Sequence, residues 1–267
     1  MEKSKRSKFN HIKNKLQNRN DKLSFETYSK ICIEEKLINA NENFQIQDPY
    51  ISIILPSYNK QNTIMKSIRS IQNQSLKNIE IIIVDDCSTD NINTYYNYLL
   101  KTEPRIRIFY HSENMGVWRS RIDGYLYSNG KYVIHFDTGD LYEDNYVLED
   151  AYNTIEKYKL DSIKMLFKII KNFSFIEKYK LPIKFDRNKS KIIYKPNIEK
   201  YNRKIFGNYT NIWNRLTRSS IYAKGLKLLN SYILNIYKNL WEDIWWNKIT
   251  DLVSYDFLTI DRYSIFK

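Results

Sequence analysis

Two cysteines, Cys32 and Cys87, are all that the 267 residues contain, too few for a disulfide scaffold or a cysteine-built metal cluster. A reducing compartment suits such a chain. Long apolar runs are missing as well: the strongest, Ile51 to Leu55 and Ile79 to Val84, fall far short of the roughly 20 residues that a membrane span needs. The first residues are rich in Lys, Arg and Ser, with no apolar segment of the secretory kind, which predicts a cytoplasmic protein. Neither the dinucleotide fingerprint nor the Walker pattern occurs, which argues against a dehydrogenase or a P-loop ATPase.

What is present is ample material for a core, with 42% hydrophobic residues and 15% aromatics, 23 of them Tyr. The length allows one large α/β domain with an appendage. A formal charge of +13 suits nucleic acid, an anionic membrane face or an anionic substrate, and does not choose among them. No nucleic-acid-binding module is recognisable, so nucleic acid is not an expected partner. Residues 1–49 are expected to form a basic extension, solvated to about Lys22 and then helical from Phe25 through Ile38. That arm leaves peripheral contact with a membrane open.

From Ile51 the chain alternates between buried strands and amphipathic helices. Strands are predicted at Ile51 to Leu55, Ile79 to Val84, Ile106 to Tyr110 and Lys131 to Phe136. The helices between them carry apolar faces at Ile64, Met65, Ile68 and Ile71, and at Ile92, Tyr95, Tyr96, Leu99 and Leu100, with a third from about Gly116 to Ser128. This spacing predicts right-handed βαβ crossovers and a mainly parallel sheet, with ligands at the carboxyl ends of the strands. A further helix is expected over 144–158, with Leu148, Ala151, Tyr152 and Ile155 inward, and a strand over Asp161 to Ile170.

Three loops share that ligand edge. Pro56-Ser57-Tyr58-Asn59 offers a ring and short polar groups to a flat base. Asp85-Asp86-Cys87-Ser88-Thr89-Asp90 offers a carboxylate to accept the imino proton of a pyrimidine, while Ser88, Thr89 or Asp90 is placed to cap the next helix. Asp137-Thr138-Gly139-Asp140 ends the strand at two acids. Phosphates are then left to a cation at that acidic loop or to Arg119 and Arg121, whose forks suit phosphate oxygens.

Together, Ile51 to Asn59, Val84 to Asp90, Asn114-Met115-Gly116, Arg121 with Gly124, and Phe136 to Asp140 resemble the glycosyltransferase 2 family. Its members are inverting transferases with the GT-A fold, a Rossmann-like nucleotide-binding half joined to an acceptor-side half. The resemblance implies a single domain over 50–267, with 50–145 binding the donor and 146–267 facing the acceptor. It further implies that Pro56 and Tyr58 line the base pocket, Asp86 holds the uracil, Arg121 lies near the diphosphate, and Asp137 and Asp140 belong to the donor and metal motif. The donor would be a nucleoside diphosphate sugar, UDP-linked, and the acceptor a glycan, lipid-linked or protein hydroxyl. The family commonly has Asp where Gly139 stands, so Mn²⁺ or Mg²⁺ would lean on Asp137 and Asp140. Cys87 stands where Gly is typical and Ile122 where Asn is.

Farther on, Asn211 to Leu216 and Trp241-Glu242-Asp243-Ile244-Trp245-Trp246 resemble later family segments, the second implying Asp243 as general base. The chemistry agrees, since inverting transfer needs one carboxylate to take the acceptor's proton. Taken alone, Glu242 and Asp243 would read as charges at a helix start. A transferase that has lost its activity is the alternative, motivated by Gly139. His135 is expected to be a buried hydrogen-bonded histidine, since no partner ligand stands nearby in sequence. Trp118 is expected to pack.

Overall fold

The computed structural model describes residues 38–39, 44–142, 144–169, 193–194, 215–228 and 257–266. Four strands form the parallel centre: β2 (Ile51–Ser57), β3 (Ile79–Asp85), β4 (Ile106–Tyr110) and β5 (Tyr132–His135). The connecting helices are α1 (Ile64–Gln72), α2 (Asn93–Thr102) and α3 (Val117–Tyr127). Every residue of β2 and β3 is buried, as expected of strands covered on both faces, where apolar runs replace alternation.

Alternation persists in where each side chain goes. Ile51, Ile53 and Leu55, with Ile79, Ile81 and Ile83, share one core with α1 and α2. Ile54, Ile82, Val84 and Val133 share the other with α3. On α1 the buried Ile64, Ile68 and Ile71 recur at helical spacing. On α2 the buried pair is Tyr96 and Leu99, while Tyr95 is exposed, contrary to the pattern. α3 is buried on nearly all sides. A Cβ at Gly124 would land on Ile54 Cγ2, so glycine there lets α3 lie close to β2.

The sheet then continues through β9 (Arg215–Arg218), β7 (Ser162–Ile169), β10 (Phe257–Phe266) and β6 (Leu141–Tyr142); with β1 (Ile38–Asn39) at the far edge the order is β1-β4-β3-β2-β5-β9-β7-β10-β6, and β8 (Ile193–Tyr194) lies against β10. β9 is antiparallel to both β5 and β7, whereas β7 and β10 are parallel. Before β7 comes α4 (Val147–Lys157), with Leu148, Ala151 and Ile155 buried as expected. Tyr152 stacks on Tyr50, the ring centroids 4.6 Å apart. After β9 comes α5 (Ser219–Leu228), whose Tyr222, Ala223 and Leu226 join the α3 side.

Strand β1 (Ile38–Asn39) pairs antiparallel with β4, Ile38 opposite Tyr110. The sheet therefore includes Ile38, which the helical pattern claimed. The rest of that expected helix, Asn211 to Asn214, Trp241 to Trp246 and Cys32 lie outside the described residues.

Within the central four, order runs β4-β3-β2-β5, so the winding reverses between β2 and β5. At such a switch point the loops leaving the strands diverge and open a crevice at the carboxyl ends. Ser57 to Asn59, Asp85 to Asp90, His111 to Gly116 and Phe136 to Asp140 all lie on this edge.

Candidate functional site

Two loops of the edge are locked together. The Asn59 amide donates to Ser88 Oγ at 2.9 Å, and Asn59 Oδ1 accepts from the amides of Thr89 at 2.8 Å and Asp90 at 3.3 Å. Asp90 Oδ2 in turn accepts from the Gln61 amide at 2.9 Å, and Gln61 Oε1 from the Asn91 amide at 3.0 Å. Asn59 sits at φ 52°, a left-handed conformation that Asn tolerates. Ser88, Thr89 and Asp90 therefore serve the neighbouring loop rather than capping α2, which begins after Ile92 with no side-chain cap. Next to the latched Asn59 stands Tyr58, 44% exposed, its ring available at the rim. Pro56 is buried, and its carbonyl accepts from Thr138 Oγ1 at 3.3 Å, tying β2 to the acidic loop.

Asp85 and Asp86 divide their work. Asp85 accepts from the Ser88 amide at 2.8 Å and from the Tyr96 hydroxyl at 2.9 Å. Burial and then the Asp85 charge push the Tyr96 hydroxyl far above the phenolic range, and push Tyr110 up to about 12. Asp86, 3% exposed, accepts from the Met115 amide at 2.7 Å on Oδ1 and from the Gly116 amide at 2.8 Å on Oδ2. These amides lead into α3, so a carboxylate from another loop supplies the charge that a helix N-terminus favours. Asp86 Oδ1 also meets His111 Nδ1 at 2.7 Å. Three of the carboxylate's roughly four lone-pair sites are thus taken, two on Oδ1 and one on Oδ2, so Oδ2 retains one acceptor site.

His111 continues the chain, its Nε2 standing 3.1 Å from Asp123 Oδ2, which also accepts from Arg119 Nε at 2.7 Å. Burial alone would lower the imidazole, but the hydrogen bonds and charges of Asp123 and Asp86 outweigh it and push it up to about 9. Sequence reasoning missed His111, Asp123 and Gln61 as site residues, and read Asn59 as a polar group for the base rather than as a latch. The available signals were a histidine directly after β4 on the ligand edge and an Arg–Asp pair four apart on α3. Arg119, one of the candidates for phosphate, has its Nε held by Asp123.

The acidic loop lies across the crevice. Arg121, on α3 and buried, donates to Asp137 Oδ1 at 2.8 Å, while the Asp137 side chain remains 34% exposed. Asp140 is half-buried, and burial, then the nearby Asp137 charge, pushes its carboxyl up to about 8 against the pull of Lys60 and Arg121. Ser67 of α1 braces the turn, accepting from the Gly139 amide at 2.8 Å and donating to the Asp140 carbonyl at 3.0 Å. Gly139 sits at φ +116° with no atom within 4 Å of where a Cβ would stand. Space for a larger side chain exists there, but the backbone is one that L-residues rarely adopt.

Two carboxylates beside open space make a hard-oxygen donor set of the kind Mg²⁺ or Mn²⁺ takes together with waters and phosphate. Among the described residues no group of three or more His, Cys, Asp or Glu gathers for a metal. His135 is the buried histidine expected, its Nε2 2.7 Å from the Tyr222 hydroxyl, held well below the ordinary range by burial and then by Arg121. Trp118 is buried in the α3-side core. The structure thus brings Pro56, Tyr58, Asp86, Arg121, Asp137 and Asp140 to one edge, and Asp243 lies outside the described residues.

The chain is similar to the E. coli protein WfgD, a UDP-Glc:alpha-D-GlcNAc-diphosphoundecaprenol beta-1,3-glucosyltransferase. They are 31% identical over 144 residues, covering 54% of this chain and 56% of that one. It is also similar to glycosyltransferase GlyA of Streptococcus pneumoniae, 36% identical over 114 residues, covering 43% of this chain and 16% of the relative. The aligned stretch is thus about half of one relative and less than a fifth of the other. The crystal structure of S. aureus TarS 1-349 superposes with a TM-score of 0.65 at 17% identity, over 81% of this chain and 60% of that one. That likeness establishes the GT-A fold. The model of the family described as "Glycosyl transferase family 2" matches residues 52–219, and the chain belongs to that family.

Proposed function

We propose that the protein transfers a hexose or hexosamine from a UDP-linked sugar to an acceptor hydroxyl with inversion. The observation that carries this is the meeting of an exposed aromatic ring, a buried carboxylate with one free acceptor position, and an Arg–Asp–Asp group at the switch point of a doubly wound sheet. The UDP-Glc named for WfgD supports the same donor class.

In this mechanism Tyr58 stacks on the uracil and Pro56 shapes the wall behind it. Asp86 accepts the imino N–H, and Arg121, anchored by Asp137, faces the diphosphate. Asp137 and Asp140 would hold Mn²⁺ or Mg²⁺, which when bound neutralises charge developing on the leaving diphosphate. Asp243 takes the proton of the attacking hydroxyl, which approaches the anomeric carbon from the side opposite that leaving group. Residues 146–267 form the acceptor side, for a glycan, lipid-linked or protein acceptor. Among the described residues no helix is long and apolar enough to cross a membrane, and the basic arm allows peripheral contact.

The test is a panel of nucleoside diphosphate sugars with Mn²⁺, scored for hydrolysis or transfer in wild type and Asp243→Asn. Turnover of a UDP-sugar that falls by roughly 10²-fold or more in the variant is the expected result. Gly139, at a position where the family commonly has Asp, favours a second reading, a nucleotide-sugar binder without transferase activity. Binding without turnover in both proteins would select it.

A further inference from the structure

His111 is buried with both ring nitrogens facing carboxylates, Asp86 at 2.7 Å and Asp123 at 3.1 Å. A neutral imidazole has one donor and one acceptor nitrogen, and an acceptor lone pair aimed at a carboxylate oxygen is repelled. Both nitrogens therefore donate, which requires the imidazolium. Charge counting agrees. Asp86 and Asp123 are matched by His111 and Arg119, which reaches Asp123 at 2.7 Å, and without the imidazole proton two buried anions would share one cation.

We propose that His111 is a positioning residue for the donor pocket, an imidazolium that holds the Asp86 carboxylate turned so that its remaining lone pair meets a nucleobase N–H. The proposal rests on the nucleotide-sugar reading. The Asp86 carboxylate is pinned on three sides, by His111, Met115 and Gly116, leaving one direction for a ligand. An ionised carboxylate is an acceptor only, so the pocket selects a base that presents an N–H there, as uracil does. The charged groups facing the ring are Asp86 from the loop after β3 and Asp123 from α3, with Arg119 behind Asp123. Weakening the Asp123 contact lowers the pH at which the ring loses its proton, and the base-gripping geometry goes with it.

The test uses the full chain and UDP as probe. Imidazole NMR, assigned by comparison with His111→Gln, reports the ring's charge, and calorimetric titration reports UDP affinity from pH 6.5 to 10. A cationic ring at pH 8 is expected, with Asp123→Asn moving its titration and the loss of UDP affinity together to lower pH. The same uracil is used throughout, so its own alkaline ionisation cancels in that comparison. In His111→Gln, UDP binding is expected to weaken roughly tenfold at pH 7 and to lose the ring's share of the pH dependence. A ring that titrates near the ordinary imidazole value overturns the proposal, as does His111→Gln binding UDP as tightly as wild type. Both results leave the nucleotide-sugar reading standing. Wild type that binds no UDP overturns both, while the NMR still reports the ring. If His111→Gln does not fold, Asp123→Asn alone decides by whether affinity follows the ring.

Discussion

Removing the Asn59 side chain should open the latch that holds the Pro56-to-Asn59 loop, proposed to bind the base. Its Oδ1 accepts one short bond, from the Thr89 amide at 2.8 Å, and two long ones, from the Asp90 amide and Thr89 Oγ1, each at 3.3 Å. At about 0.5–1.5 kcal/mol for a well-made bond, and less for long exposed ones, their combined contribution is about 2 kcal/mol. Asn59→Ala adds the left-handed backbone cost of about 1 kcal/mol, because φ is 52°. Asn59→Gly avoids that cost but loses the same bonds. The contact from Asp90 to the Gln61 amide survives in both, so the loop loosens rather than detaches. UDP must then reorder it on binding, and 1.4 kcal/mol is about tenfold in affinity. The expectation is UDP affinity about 10- to 30-fold weaker in Asn59→Gly and weaker again in Asn59→Ala, by titration calorimetry. Hydrogen exchange at the Thr89 and Asp90 amides should quicken in parallel. Wild-type affinity and unchanged exchange in Asn59→Ala would refute the latch.

Glu80 is fully buried and accepts from Ser52 Oγ, the Asn129 and Gly130 amides and Arg107. Glu80→Gln should cost about 3 kcal/mol in urea unfolding, with UDP affinity of the folded protein unchanged, since this cluster lies at the opposite end of β3 from Asp86. Gly124→Ala should cost about 1–3 kcal/mol as α3 is pushed off Ile54, read from the urea midpoint. Cys87→Gly should stabilise by roughly 0.5–1 kcal/mol, because Cys87 holds φ 64°, and a lower melting temperature would contradict it. For pH, His111 is raised above its unfolded value, so its contribution is complete below about 6.5 and is lost as pH rises through about 9. On the order of 3 kcal/mol should disappear across that window in wild type and not in His111→Gln.

The central sheet was legible because its strands are apolar runs joined by helices with a 3.6-residue rhythm, and short connections leave few topologies. Of the flanking strands only β7 was, expected over Asp161 to Ile170 and found at Ser162–Ile169. Ile38 pairs with Tyr110 and Ser162 with Thr217, and such distant antiparallel contacts leave no periodic trace. Phe257–Phe266, parallel to β7 and antiparallel to β6 and β8, went unanticipated as a strand because its partners are likewise distant in sequence. Tyr95 and Tyr96 show another limit, since adjacent tyrosines on a helix look equally apolar and only packing decides which is buried. At the site, acids at strand ends announced themselves, but their partners did not. Asp86 is bonded to residues 25 to 30 positions later, and Asp90 to Gln61, 29 earlier. A helix cap is a local rule, and here a long-range latch replaced it.

One pocket at the carboxyl edge, with Asp86 at its base, is proposed to grip a uridine diphosphate. Titrating wild type with UDP and with CDP at pH 7 tests it directly, because cytosine presents an acceptor where uracil presents N–H. UDP should bind at least about tenfold tighter than CDP, with Asp86→Ala abolishing the difference. Equal affinities for the two nucleotides, or no binding of UDP, would contradict it.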